Sequence, residues 1–318
     1  MRRFGRFALM ALLSLSAAFA LTGAAATRTQ DFEKQKTWCL DDEADADLRI
    51  GACTWLLNSG ELAEGGVPFV FVHRAEARLK KGQFDLAARD LEQALRLDPK
   101  NAFGRTLLGD AHVGLGQHER AIQNYDESLR LEPSAYAYLR RGLAHQRAGR
   151  TARAIEDYDQ ALKLEPGDSE LHVHRGAAHG VLGNFEKAIE DLTQAIRLDP
   201  EDPVAHNSLA WIYATAKDAR LRNGEEALRH ARKALALKRT PVNLDTLGAA
   251  LLARGEPDKA VNAYRDSMKL GGPERVRRYQ DYLKKRGFYS GPPDGIYGPA
   301  VERAILECFR AGCIPLSN

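Results

Sequence analysis

The sequence holds none of the short catalytic signatures that can be recognised without context. It has no G-x-S-x-G nucleophile elbow, no H-E-x-x-H zinc helix, no phosphate-cradling P-loop, and no cysteine in a nucleophile's setting. Its carboxylates recur along polar helix faces at intervals set by a repeat, so no acid–base pair stands apart; neither an enzyme nor a cofactor is expected. Charge of one sign is not in excess either, with 46 Lys and Arg against 43 Asp and Glu. The first 26 residues carry three arginines and no acid, so the remainder is balanced. That removes the case for nucleic acid or an anionic membrane as partner. Cysteine is scarce, and a metal site built from all four would need both ends of the chain to meet, so no metal is expected.

What is present begins with "MRRFGRFALMALLSLSAAFALTGAAA", where Arg2, Arg3 and Arg6 precede an apolar run that finishes in small residues. This is the three-part layout of a cleaved secretory signal, with cleavage after Ala20 or Ala26. A retained anchor, the apolar run from Phe7 through Ala26, is the alternative. Export makes the protein periplasmic and its cysteines disulfide-bonded. Cys39, Cys53, Cys308 and Cys313 allow three connectivities, of which local pairing staples each end of the molecule separately.

The middle of the chain repeats. "LDPK" (97–100), "LEPS" (131–134), "LEPG" (164–167) and "LDPE" (198–201) recur at steps of 34, 33 and 34 residues. Two further units end near "LALKRTP" and "MKLGGPE", the first with an extended turn around Lys217 to Asn223. Each unit reads as two helices. Small residues Gly142, Ala154 and Ala161 recur as Gly109, Ala121 and Ser128, and as Gly176, Ala188 and Ala195, where helices approach closely. Gly149 takes the turn between helices A and B, and the proline stops helix B. His112, His145 and His179 share one position inside helix A and read as packing. His172 and His174 sit two apart, on different faces, and do not chelate. Upstream, Ala46, Ile50, Cys53 and Leu57 give one apolar face to a capping helix that would shield the open end of the stack.

These positions resemble the tetratricopeptide repeat (TPR) family, in about six units from Gly66 to Leu270. The first unit departs by having Arg78 where the family's helix A usually carries an aromatic. The resemblance implies an all-α solenoid whose A helices line a concave surface that binds peptides or protein segments. Aligning the units puts His73, Asp110, Arg140, Arg147 and His174 on or near that lining, the alternative for each being a solvated helix face. No repeated Lys and Asn pattern marks a carboxylate clamp, so a chaperone C-terminus is not the expected ligand.

After Pro273 the spacing changes. Val276, Tyr279, Tyr282 and Leu283 form one stripe of a helix that Gly287 can end. A second helix, opened by Gly298 and Pro299, points Val301, Ala304, Ile305 and Cys308 inward. Between them "GFYSGPPDGIYG" combines tight turns with aromatic mass. "YQDYLKKRGFYSGPPDGIYGPAVERAILECF" resembles a small helical peptidoglycan-binding domain, over Glu274 to Cys313. Val301 replaces the family's usual Thr, and Cys308 takes the place of its final aromatic, with Phe309 one residue late. A Cys308–Cys313 bridge would then replace the missing packing. The resemblance implies glycan contact by the ring of Tyr289 or Tyr297, with Asp294 hydrogen-bonding a sugar hydroxyl or stem-peptide amide; Phe288 and Ile305 are expected in the core.

The expected organisation is thus a signal peptide at 1–26, an N-terminal capping segment at 27–65, a TPR solenoid at 66–272 and a peptidoglycan-binding-like domain at 273–318. The function that follows is a non-catalytic periplasmic scaffold, holding a protein in its groove and docking on peptidoglycan. The alternative is an accessory regulator of a cell-wall hydrolase or synthase whose tail contacts the enzyme. A tail that merely caps the last repeat is a third reading.

Overall fold

The computed structural model describes residues 29–216 and 218–314. The expected signal segment and Lys217 lie outside them. All regular structure among the described residues is helical: α1 (residues 29–40), a helix α2 (Ala46–Ser59), and then six successive pairs of A and B helices. These are α3 (Gly66–Lys80) and α4 (Phe84–Leu97), α5 (Ala102–Gly114) and α6 (His118–Leu131), α7 (Ala135–Arg147) and α8 (Thr151–Leu164). They continue as α9 (Ser169–Val181) and α10 (Phe185–Leu198), α11 (Pro203–Thr215) and α12 (Gly224–Leu237), α13 (Pro241–Ala253) and α14 (Pro257–Lys285). The last helix among the described residues is α15 (Pro299–Arg310). The chain divides into two compact units, Met1–Ala144 and His145–Asn318.

The repeat is set by three local rules. Helices B end one residue before an Asp-Pro or Glu-Pro pair, since a residue preceding proline is pushed out of the helical region; Asp98, Glu132, Glu165 and Asp199 are the extended or near-extended caps. The A-to-B turn carries a glycine with positive φ at the same place in five units, Gly82, Gly116, Gly149, Gly183 and Gly255. The third rule is steric. A Cβ placed on Gly109 would lie 2.4 Å from the Tyr125 ring, and one on Gly248 would lie 2.5 Å from that of Tyr264. Glycine there lets a tyrosine of helix B lie directly on the backbone of helix A.

In the first unit, the capping helix differs from its sequence reading. The face that α2 buries is Arg49, Ala52, Cys53 and Leu56, one residue off the expected Ala46, Ile50, Cys53 and Leu57. The offset comes from Arg49, a charged residue with no exposed surface, whose Nη2 donates to Asp42 (2.6 Å) and Glu76 (3.1 Å). Cys53 is bonded to Cys39, with Cα atoms 4.9 Å apart, which ties the end of α1 to α2.

The carboxylates also depart from expectation, because Asp90, Asp157 and Asp191 are buried rather than solvated. Arg74 of α3 grips Asp90 of α4 through two parallel bonds of 2.8 and 2.7 Å. Arg175 of α9 repeats the grip on Asp191 of α10 at 2.9 and 2.6 Å. Arg78, placed where an aromatic is usual, adds a bond of 2.6 Å to the same Asp90.

In the second unit, α14 is two helices joined across Gly272 (φ 71, ψ −170), with Pro273 just beyond. The core does not stop there. One apolar cluster runs from Ala210 and Leu228 through Tyr264 and Met268 to Tyr279, Ile305 and Cys308, so the C-terminal segment shares its interior with the last helix pair. Phe309, one residue late by the family pattern, packs on Tyr264 with ring centroids 5.7 Å apart. Cys308 is buried beneath it and bonded to Cys313, with Cα atoms 5.0 Å apart.

A buried histidine pair joins α11 to α12. His206 Nδ1 and His230 Nδ1 lie 2.8 Å apart, His206 Nε2 is 3.1 Å from the Pro200 carbonyl, and His230 Nε2 is 3.0 Å from the Arg229 guanidinium. Only one neutral arrangement satisfies all three: Arg229 donates to His230, His230 to His206, and His206 to the carbonyl. A second proton on His230 would set its Nε2–H against the Arg229 guanidinium. Burial first, then Arg229 and His206, pushes the His230 pKa down from 6.5 to about 4, with Glu226 opposing. The unfolded chain therefore takes up this proton first, and stability present in full above pH 6.5 is lost as pH falls toward 4. Urea unfolding should register a loss of about 2 kcal/mol between pH 6.5 and 4.5, allowing for screening. A His230→Leu variant should show a much shallower slope over that interval; equal slopes would remove the histidine pair as the cause.

Candidate functional site

In the first unit, helices α3, α5 and α7 line a groove of about 420 Å³ that includes Glu76, Lys80, Phe103, Asp110, Tyr136 and Arg140. Asp110 is its anchor. Its Oδ1 accepts from the Tyr125 hydroxyl (2.6 Å) and Arg140 Nε (2.7 Å), and its Oδ2 from the Tyr136 hydroxyl (2.9 Å). Burial, then the Asp110 carboxylate, holds both phenols well above their ordinary pKa. For Arg140 burial alone would lower the pKa, but Asp110 outweighs it and keeps the guanidinium charged. Asp110 thus spends its acceptors on positioning Arg140 and Tyr136. Phe103 (50% exposed) and Tyr136 (42% exposed) offer ring surface beside that fixed cation.

His73 belongs elsewhere, at the joint between α2 and α3. Its Nδ1 lies 3.4 Å from Arg49 Nη2, and the Phe69 ring stands edge-on at 4.3 Å. Burial, and to a lesser degree Arg49, lowers its pKa against the pull of Glu76. Asp42, His73 and Glu76 bring three ligand atoms within 4.8 Å of one another. The Arg49 guanidinium sits among them and supplies the positive charge that a cation would bring. In the second unit, Arg147 is exposed, and His174 stacks on the buried Tyr158 at 5.9 Å with Glu170 3.4 Å away.

The C-terminal loop is organised by Gln280, a fully buried residue of α14. Its Nε2 donates to Asp294 Oδ1 (2.7 Å), the Ile296 carbonyl (3.2 Å) and the Tyr289 hydroxyl (3.3 Å), and its Oε1 accepts from the Gly295 N–H (2.9 Å). The Asp294 carboxylate also accepts from the Ile296 N–H (2.9 Å). These bonds, the backbone one first, hold its pKa below the usual carboxylate range.

Tyr289 corrects the sequence reading: it is only 9% exposed, packs in the core, and donates its hydroxyl to the Pro292 carbonyl at 3.2 Å. It supports the loop from beneath and presents no ring face. Tyr297 is half-buried, and its hydroxyl donates to Glu302 (3.0 Å) while accepting from Arg265 of the last repeat pair (3.3 Å). Ile296, between Asp294 and Tyr297, is 68% exposed. The sequence signal for Gln280 is a polar residue within the otherwise apolar stripe of Val276, Tyr279 and Leu283.

Tetratricopeptide repeat models match residues 73–136, 106–169 and 169–202, and a peptidoglycan binding domain model matches 272–307. The chain is 35% identical over 76 residues to small glutamine-rich tetratricopeptide repeat-containing protein 2 of Mycosarcoma maydis, a stretch covering 24% of this chain and 21% of that protein. It therefore spans about a fifth of that relative's length. A tetratricopeptide repeat protein from Parabacteroides merdae is similar in structure, with a TM-score of 0.58 at 16% identity over 88% of this chain and 99% of that one. PilW, a type IV pilus biogenesis factor, matches with a TM-score of 0.54 at 20% identity over 64% of this chain and 91% of its own. Both structures share the fold. Among the described residues no helix is long and apolar enough to cross a membrane.

Replacing Gln280 with Leu keeps the volume and strips four polar partners in and around the loop. Chemical denaturation should show a loss of about 3 kcal/mol, and a change below about 0.5 kcal/mol would mean the loop is held by its turns alone.

Proposed function

Because this chain is a tetratricopeptide repeat protein closed by a peptidoglycan-binding-like domain, we propose that it is a non-catalytic periplasmic scaffold. Its repeats hold a protein partner, and its C-terminal domain docks on peptidoglycan. Repeats of this kind imply protein–protein interaction, and the C-terminal match suggests peptidoglycan binding. The proposed domain, 273–318, starts just after the kink at Gly272 and follows repeats assigned to 66–272. Export rests on the N-terminal pattern of arginines, apolar run and small residues.

The observation that carries the docking half is the loop from Asp294 to Tyr297. It holds an acceptor and a partly exposed phenol on either side of Ile296, with Asp294 and the Ile296 carbonyl fixed from below by Gln280 and the Tyr297 hydroxyl by Glu302 and Arg265. A fixed loop of this kind suits a sugar, which needs an apolar face and a hydrogen-bond partner held at set positions. In this reading Asp294 and Tyr297 contact glycan and Tyr289 buttresses them. For the groove, Asp110 sets Arg140 and Tyr136 toward a partner segment, and Arg147 and His174 are solvated helix face.

A second role is favoured by the continuous core from Ala210 to Cys308. The domain also caps the last repeat, covering the apolar surface that a terminal pair would otherwise expose.

Sedimentation with isolated sacculi tests the docking half. The purified chain should pellet with the wall, and an Asp294→Ala, Tyr297→Ala double variant should bind roughly tenfold more weakly. Tyr289→Phe should bind as the native chain does. A native chain left in the supernatant, beside a known wall binder that pellets, would end the proposal.

A further inference from the structure

In the C-terminal segment, Arg277, Gln280 and Lys284 stand three and four residues apart on α14 and so form one row on that helix. The loop that carries Asp294 lies along this row. Gln280 bonds it through Asp294, Gly295, Ile296 and Tyr289, and Lys284 Nζ donates to the Gly291 carbonyl (3.3 Å). Arg277, the third member, reaches the same loop without bonding it. Its Nε stands 3.1 Å from the position that a Cβ on Gly295 would take. Gly295 is buried at φ 80, and because it has no side chain the arginine lies against the loop backbone one residue from Asp294.

The charge of Arg277 is unpaired. Glu274 and Asp281 stand one turn to either side, within reach of an ordinary helix ion pair, and among the described residues neither pairs with it. Asp294 Oδ1 is occupied by Gln280 and the Ile296 N–H. Other cations of this region are engaged: Arg275 with Asp245, Arg265 with Glu302 and Tyr297, Lys284 with Gly291. Arg277 is exposed, so its donors face solvent beside the loop. The exposed residues of 277–286 add Arg278, Lys284, Lys285 and Arg286 against Asp281 alone, which draws an anion to this side.

Peptidoglycan offers such an anion in one of its two components. The glycan strand is neutral, because the muramic acid carboxyl is consumed in its amide bond to the stem peptide, and the free carboxylates belong to that peptide. We propose that Arg277 takes a stem-peptide carboxylate while Asp294 and Tyr297 hold the adjoining sugar. The domain is then selective for wall whose stem peptides keep a free carboxylate. A guanidinium suits this task, since its planar fork meets a carboxylate through two parallel bonds. The inference rests on the reading of the loop as a wall-binding site, and it names the component of the wall that is distinguished and the residue that distinguishes it.

The test compares sedimentation with untreated sacculi and with sacculi whose carboxylates have been converted to neutral amides by carbodiimide and glycinamide. The native chain should bind the amidated wall about tenfold more weakly. Arg277→Gln should lose about the same factor on untreated sacculi, yet bind amidated sacculi as the native chain does, because both changes delete one contact. The variant should melt as the native chain does, since Arg277 is exposed and unpaired. Arg278→Gln and Lys285→Gln remove the same charge from the same helix outside the Gln280 row, and each should shift binding by less than about twofold. Equal native binding to both walls, or undiminished binding by Arg277→Gln, overturns the assignment. A loss with Arg278→Gln or Lys285→Gln that matches the loss with Arg277→Gln also overturns it, by showing a diffuse basic face. So does pelleting with phosphatidylglycerol vesicles that Arg277→Gln abolishes, which would turn the cation toward membrane phosphate. A native chain that pellets equally with both walls removes only the carboxylate contact, whereas one that stays in the supernatant with untreated sacculi removes the docking reading and this inference with it.

Discussion

The packing of one tyrosine ring on a glycine of the preceding helix governs how this chain is built. Where Tyr264 meets Gly248, a Cβ would come within 2.5 Å of the ring, so the two helices can approach only because that atom is missing. The ring is fully buried and has further neighbours, Tyr279 at 6.1 Å and Phe309 at 5.7 Å between centroids. The same side chain therefore closes the last helix pair and forms the floor on which the C-terminal domain rests. An alanine at Gly248 would displace the ring from both. Its counterpart at Gly109 and Tyr125 has a polar use instead, because the ring carries its hydroxyl to Asp110 and so fixes the anchor of the groove.

Charge supplies the register that apolar packing leaves free. A helix pair held by alanines can slide by fractions of a turn at small cost, whereas a bidentate Arg–carboxylate pair has one good geometry. Arg74 with Asp90 and Arg175 with Asp191 each impose it between the helices of a pair. Arg275 makes a single-contact pair across the break at Gly272, its Nη2 donating to the buried Asp245 of α13 while its Nε donates to Ser267 at 2.9 Å. Burial raises the Asp245 pKa, with Arg275 among the groups that oppose the rise. Such pairs add little net stability relative to apolar replacements, and losing one partner is costly; their contribution is to single out one alignment.

Elements with a strong period and a simple physical cause were legible in the sequence. The stop prolines, the small-residue positions Ala121, Ala154, Ala161, Ala188 and Ala195, and the inward face of α15 all stand where spacing puts them. What stayed hidden are polar residues whose burial depends on partners distant in sequence. Arg49 reads as solvent-facing because nothing local announces Glu76, 27 residues on. Gln280 looks like an interruption of a stripe until the loop 14 to 16 residues later folds over it. The tyrosines of that loop were equivalent in sequence, and tertiary packing separated them, burying Tyr289 and leaving Tyr297 at the edge.

The junction at Gly272 decides what kind of attachment the C-terminal domain can provide. A flexible linker would let a wall-bound domain tether the repeats with free orientation. Here the chain turns at a single glycine and continues directly as helix, and the Tyr279 stripe, Phe309 and Arg275 all lock onto the helix pair before it. Arg265 extends the contact outward, bonding Glu302 at 2.9 Å and the Tyr297 hydroxyl at 3.3 Å. A residue of the last repeat pair thus touches the proposed glycan-contacting loop, and any ligand that moves Tyr297 must also act on Arg265. Attachment through this domain would fix the direction in which α13 and α14 face, because the packing across Gly272 leaves the last helix pair no free orientation relative to the C-terminal domain.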